Sequence, residues 1–313
     1  MNVLVTGGAG FIGSHLAEAL CARGHRVRIL DDLSAGRLDN VRAFRRDVEL
    51  LRGDCADPAA ARRAVKGVEV VYHQAAVPSV ARSVKEPLLS HRTNATATLV
   101  MLDAARQAGV RRFLYAGSSS VYGDSKALPK REDMPPRPLS PYGVGKLAGE
   151  HFVRIFHHLH GMETLTLRYF NVYGPRQNAS SPYSGVISLF VTALLDGRPP
   201  VIHGDGRQSR DFTYVADAVD ANLRALTAKG LEGQHVNIAG GRRVTLRDLL
   251  GVLAGELGVE ARAKRGPARP GDIRHSQADI SAARRLLGYR PRTDLRQGLR
   301  RTVEWYRSGS GAG

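Results

Sequence analysis

At 313 residues the chain is long enough for about two domains of ordinary size or one large α/β unit. With 42% hydrophobic and 24% charged residues it is globular rather than disordered, and no apolar run approaches the roughly 20 residues that span a bilayer. Two cysteines, Cys21 and Cys55, exclude a disulfide scaffold or a cysteine-rich zinc site, and 46 Lys+Arg against 29 acids leave a net charge of +17 with no basic tail or arm. Such a spread of charge fits a compositional bias or the steering of a small anionic substrate better than a nucleic-acid module. The N-terminus shows no basic n-region and no cleavage site, so the expected location is the cytoplasm.

The chain opens on a short apolar strand, Asn2 to Thr6. A glycine turn, Gly7-Gly-Ala-Gly-Phe-Ile-Gly13, leads into a helical pattern from Ser14 to Arg23. Val27 to Leu30 reads as the second strand and closes on Asp31 and Asp32. Further strands are expected over Val48 to Arg52, Val68 to Tyr72, Arg112 to Ala116 and Thr164 to Tyr169. Helices are expected over Pro58 to Val65, about 91–108 and about 141–160. Strands alternating with helices of this length imply a Rossmann-type, doubly wound parallel α/β sheet. After Asn171 the chain breaks into shorter elements separated by Pro- and Gly-rich loops. That texture predicts a smaller, interleaved C-terminal substrate domain over 171–211 and 240–306. The NAD-binding domain would cover 1–170 with a returning segment near 212–239. A flexible Gly/Ser tail is expected at 307–313.

The glycine turn carries the first functional expectation. Gly7 permits the tight turn, Gly10 lets backbone approach a pyrophosphate, and Gly13 lets the helix pack close to the sheet. Phe11 and Ile12 complete a helix N-terminus that faces the phosphates. Asp31, at the end of the second strand, can hydrogen-bond both adenosine ribose hydroxyls and would repel a 2′-phosphate. The cofactor is therefore expected to be NAD rather than NADP. Asp32 doubles the acid, and Asp54 with Cys55 closes the third strand beside adenine.

Tyr142 and Lys146 form the second expectation. Four residues apart on one helix, they lie on one face about 6 Å apart along the axis. A free tyrosine has a pKa near 10, and an ammonium nearby favours the phenolate that can take a proton from a sugar hydroxyl. His157, His158 and His160 lie late in the same helix without a carboxylate partner, so no metal site is expected.

The glycine turn, Ser118-Ser-Ser-Val-Tyr-Gly123 and Tyr142-Gly-Val-Gly-Lys146 occur in one order and spacing. In these features the chain resembles the extended short-chain dehydrogenases/reductases, specifically their nucleotide-sugar epimerases, to about Tyr306. The resemblance implies that Ser118 assists Tyr142 and holds the substrate oxygen. Related dehydratases look like Thr-Asp-Glu at this strand end. Here Ser119-Ser120 supply no acid, so dehydration is disfavoured; their own roles are left open. The resemblance also assigns Ala75, Asn94 and Tyr169 to the cofactor, together with Tyr142 and Lys146 themselves. To a UDP-sugar it assigns Ser79, Asn171, the phosphate-binding Arg210 and Arg269, Asp272, and Ser276.

Arg274-His-Ser-Gln-Ala-Asp279, Pro138-Leu-Ser-Pro-Tyr142 and Ala76-Val-Pro-Ser-Val80 look most like UDP-N-acetylglucosamine 4-epimerases. Pro78 stands where epimerases of the galactose pathway have lysine. The implied activity is reversible inversion at carbon 4 of UDP-GlcNAc/UDP-GalNAc, with UDP-Glc/UDP-Gal as further substrates. A UDP-glucuronate 4-epimerase or decarboxylase is the alternative enzyme, and an NAD-sensing binding protein the non-enzymatic one. The latter needs no Ser-Tyr-Lys set. The implied assembly is a homodimer through helices 91–108 and 141–160, without nucleic acid or membrane.

Overall fold

The computed structural model describes residues 1–178, 185–267 and 273–308. Its first half alternates strand and helix: β1 (Asn2–Thr6), α1 (Phe11–Cys21), β2 (Arg26–Asp31), β3 (Val48–Arg52), α2 (Pro58–Val65) and β4 (Val70–His73). Helices α3 (Val80–Lys85), α4 (Pro87–His91) and α5 (Ala97–Gln107) follow, then β5 (Arg112–Ser118), α6 (Pro141–His160) and β6 (Glu163–Tyr169). The second half holds β7 (Val172–Tyr173), α7 (Val186–Leu195), β8 (Val201–His203), β9 (Ser209–Asp211), β10 (Thr213–Tyr214), α8 (Val215–Thr227) and β11 (Glu232–Ile238). It closes with β12 (Arg243–Thr245), α9 (Leu246–Leu257), β13 (Lys264–Gly266), α10 (Ser281–Leu287) and α11 (Leu295–Arg307).

Seven strands form one parallel sheet in the order β11-β6-β5-β4-β1-β2-β3. Val3, Leu4 and Val5 are fully buried, because helices cover both faces of a parallel sheet. Residues of α1, α8 and α10 pack on one face, and those of α2, α5 and α6 on the other. Strand order reverses between β1 and β4. In open sheets of this kind, ligands bind in the crevice beyond the strand ends at that point. A separate apolar cluster joins α7, α9 and α11 through Phe190, Leu253, Leu299 and their neighbours.

Two local signals set the helix that carries Tyr142. Ser140 caps α6 by accepting the Gly143 N–H at 3.1 Å, and Pro141 opens its first turn. Such a cap contributes about 1 kcal/mol. Gly161, at a φ of 66°, ends the helix in the left-handed region.

The helix expected at 91–108 differs in detail. Helical structure begins earlier, at Pro87, and contains a π turn over Arg92–Thr96 before α5. The bulge brings the Asn94 amide to the Ser90 carbonyl at 2.9 Å. At the other end, α11 runs through Arg307, and residues 309–313 of the expected tail lie outside the described residues.

Candidate active site

The glycine turn fills the gap between β1 and α1 so closely that side chains have no room. Gly7 has a φ of 65°, and a Cβ there would stand 2.8 Å from the Ala75 backbone. A Cβ on Gly13 would come within 2.1 Å of the Gly7 carbonyl oxygen. The result is a backbone-lined cradle at the helix N-terminus, where the first amides of α1 lack helical partners.

Asp31 is buried at the end of β2. Its carboxylate accepts the N–H groups of Ala9 and Leu33, each at 2.9 Å. Burial pushes its pKa up, and these two hydrogen bonds pull it back. Gly36, which sequence reading passed over, packs on the same carboxylate; a Cβ there would be 2.8 Å from it. Asp32 faces solvent and is engaged with the Ser34 backbone N–H and hydroxyl. Asp54 is paired with Arg92 at 2.7 Å, and Cys55 beside it is buried. The Ala75 N–H donates to Thr6 Oγ1 at 3.2 Å, and His73 is a core residue bonded to Thr6 and Thr98.

Asn94 is fully buried, and its Oδ1 has no hydrogen-bond partner within the chain. An orphaned buried acceptor of this kind calls for a donor from a ligand or water. Together with the glycine cradle, it makes these residues fit a dinucleotide. Tyr169 is also buried, but its hydroxyl is occupied, accepting from Asn222 at 2.7 Å and donating to Gln74 at 3.3 Å.

Ser118 is the last residue of β5, and α6 brings Tyr142 and Lys146 against the end of that strand. Ser118 Oγ accepts the Ser120 N–H at 3.2 Å and the Ser120 hydroxyl at 2.9 Å, which leaves its own proton to be donated outward. Ser120 thus orients Ser118. Tyr142 faces Ser118. Burial raises the tyrosine's pKa, and the nearby Ser118 hydroxyl opposes the rise. Lys146 is buried; its ammonium donates to the Ala116 carbonyl at 2.9 Å and lies 5.0 Å from the centre of the Tyr115 ring. Burial pulls its pKa down to about 7, so its charge responds to pH near neutrality. A buried tyrosine that faces a serine hydroxyl, one helical turn from a buried lysine, has the composition of an acid/base site.

The residues expected to hold the sugar lie on other elements. Asn171 adopts a φ of 36° and donates to the Asp211 carbonyl at 2.8 Å. Arg210, half-buried on β9, donates to the Ser209 carbonyl at 3.0 Å. Ser276 is buried, and its N–H donates to the same carbonyl at 3.0 Å. Ser79 caps α3 by accepting the Arg82 N–H at 3.1 Å. Arg269 and Asp272 lie outside the described residues. Among the described residues no cluster of three His, Cys, Asp or Glu side chains is arranged for a metal, and no helix is long and apolar enough to cross a membrane.

Residues 3–239 match the NAD dependent epimerase/dehydratase family. The chain belongs to that family. A UDP-glucose 4-epimerase of Mycolicibacterium smegmatis is 40% identical over 99% of this chain and 100% of its own length. Among solved structures, a UDP-N-acetylglucosamine 4-epimerase from Methanobrevibacter ruminantium, in complex with UDP-N-acetylmuramic acid, has a TM-score of 0.94. It is 37% identical, with 98% of each chain covered. A UDP-glucuronic acid 4-epimerase from Bacillus cereus, in complex with UDP-glucuronic acid and NAD, has a TM-score of 0.92 at 33% identity, covering 98% of this chain and 99% of that one. The seven-stranded sheet and the NAD cradle are thus features of an NAD-dependent epimerase/dehydratase family member.

Proposed function

We propose that this protein is an isomerase that reversibly inverts carbon 4 of a UDP-hexose through a 4-keto intermediate, with UDP-GlcNAc and UDP-GalNAc as its preferred pair. The observation that carries the reading is the Ser118–Tyr142–Lys146 arrangement, which serves proton exchange at one sugar hydroxyl. NAD held by the glycine cradle would supply reversible hydride exchange at carbon 4, so the reaction would have no net redox change. Tyr142 removes the hydroxyl proton and later returns it. Ser118 donates to the substrate oxygen, and Lys146 lends charge beside the phenol. The Ser119-Ser120 pair offers no acid to expel water, which leaves inversion rather than dehydration.

In this reading Gly7, Gly10, Phe11, Ile12 and Gly13 hold the pyrophosphate, and Asp31 the adenosine ribose. Asp32, Asp54, Cys55, Ala75, Asn94 and Tyr169 shape the rest of the NAD site. Ser79, Asn171, Arg210, Arg269, Asp272 and Ser276 hold the UDP-sugar. We assign residues 1–170 with 212–239 to the NAD unit, and 171–211 with 240–306 to the sugar unit. Val144, Ile155 and Leu159 are exposed along α6, with Leu88 and Leu99 exposed on neighbouring helices. Apolar side chains in that arrangement support a homodimer through this face. Two free thiols suit a cytoplasmic location.

The likeness to the Bacillus cereus enzyme favours UDP-glucuronate as a second reading. The deciding experiment incubates the purified protein separately with UDP-GlcNAc, UDP-Glc and UDP-GlcA and identifies the products by NMR. UDP-GalNAc should form fastest. Turnover of UDP-GlcA alone would transfer the assignment to the second reading, and no turnover of any of the three would refute inversion of a UDP-hexose.

A further inference from the structure

Glu150 lies four residues beyond Lys146 and eight beyond Tyr142, on the same side of α6. It is 5% exposed, and Arg168, its partner on β6, is 1% exposed. The Arg168 guanidinium grips both Glu150 oxygens, with Nε donating to Oε2 at 2.9 Å. Arg168 occupies the register position beside Gly117, one residue before Ser118. A Cβ on Gly117 would stand 2.5 Å from Thr166 Cγ2, so glycine there lets β5 and β6 pack closely at this register position.

The same guanidinium reaches the other catalytic element. Its Nη1 donates to the Tyr122 hydroxyl at 2.7 Å, and Tyr122 belongs to the turn that follows Ser118. The Tyr122 hydroxyl donates onward to Asn237 Oδ1 at 2.7 Å. Asn237 Nδ2 then donates to the carbonyls of Lys130 and Asp279 at 3.0 and 3.1 Å. The Lys130 N–H in turn holds the carbonyl of Gln277, the neighbour of Ser276. From the other side, His235 Nδ1 lies 3.2 Å from Glu150 Oε1 and Nε2 lies 3.0 Å from the Glu132 carbonyl. One buried ion pair therefore ties the Tyr142–Lys146 helix to the Ser118 turn and to the segment bearing Ser276.

We propose that Arg168 and Glu150 are positioning residues for the epimerisation, setting the distance between Tyr142 and Ser118. The proposal rests on the reading given above. Desolvating two charges costs nearly what their attraction returns, so a buried pair is a poor source of stability. Its best-attested use is to fix one arrangement among several. The forked geometry matters here, because a single guanidinium serves two elements at once.

The test compares Glu150→Met/Arg168→Met with wild type. Replacing both charges leaves neither buried and unpaired, so the double variant should keep its Tm within a few degrees and its NAD content. Its kcat should fall at least tenfold with KM for the UDP-sugar changed less than threefold, and its crystal structure should show Tyr142 parted from Ser118. A purely structural role predicts the reverse, a lowered Tm with kcat per folded molecule intact. Wild-type kcat, or an unchanged Tyr142–Ser118 separation, overturns the proposal. If the double variant does not fold, Arg168→Lys decides: it keeps the charge but loses the fork. The same tenfold loss of kcat is expected from a folded, NAD-loaded protein, and wild-type kcat overturns the proposal. Inactivity of the wild type on every UDP-hexose would count against the epimerase reading alone, and the Tyr142–Ser118 geometry in the variant crystal would still decide the role of the pair.

Discussion

Tyr142→Phe should reduce epimerisation by about 10²–10⁴-fold, the usual worth of a positioned acid/base group. The substitution removes only the phenolic oxygen. The ring keeps its place on α6, and Ser118 keeps both hydrogen bonds from Ser120. NAD should therefore remain bound, which is measured by releasing the nucleotide from the purified variant and quantifying it. A variant with wild-type kcat would remove Tyr142 from the mechanism. A variant that loses NAD along with activity would make Tyr142 a cofactor contact rather than the proton carrier.

Ser276→Tyr is the second change with a large expected effect. The backbone around Ser276 is held from several sides, which resists displacement of the segment. The Ser276 N–H donates to the Ser209 carbonyl, and the Ala278 N–H donates to Asp211 at 3.1 Å. The Asp279 N–H donates to the Lys130 carbonyl at 2.9 Å. We propose that Ser276 borders the space for the sugar's 2-substituent, so that a bulky ring at this buried position would compete with an N-acetyl group. A steric clash in a closed site discriminates strongly, whereas one extra apolar contact contributes only about 1–3 kcal/mol. UDP-GlcNAc and UDP-GalNAc turnover should be abolished while some UDP-Glc/UDP-Gal turnover survives, which also shows that the variant folds. Wild-type turnover of the N-acetylated pair would mean that Ser276 does not gate the pocket.

Local signals made the segments expected to hold the cofactor legible. The strand–glycine turn–helix order around Gly7 to Gly13 and the acid closing β2 are consequences of short-range geometry. So is the common face of Tyr142 and Lys146. What escaped the sequence depends on sheet register. Glu150 and Arg168 are 18 residues apart, and their pairing follows only once α6 is laid across β5 and β6. The one signal available was an acid one turn after Lys146. The engagement of the Tyr169 hydroxyl by Gln74 and Asn222 spans 95 and 53 residues, beyond any local pattern. The π turn before α5 has no periodicity of its own, so helix 91–108 reads as regular until Asn94 is placed. Ser120 is a similar case. Its hydroxyl reaches Ser118 because a 3-10 turn over Ser119–Tyr122 follows β5, whereas the sequence alone offers three equivalent serines.

Return of the carbon-4 hydrogen to the carbon it left is the central claim, and isotope retention tests it most directly. UDP-GlcNAc carrying deuterium at carbon 4 is incubated with the purified protein in ordinary water, without added cofactor, and the product is analysed by NMR and mass spectrometry. The account predicts UDP-GalNAc of unchanged mass with deuterium still at carbon 4, because the hydride never leaves the closed site. Product that has exchanged its deuterium for solvent hydrogen, or has lost the mass of water or carbon dioxide, would contradict it.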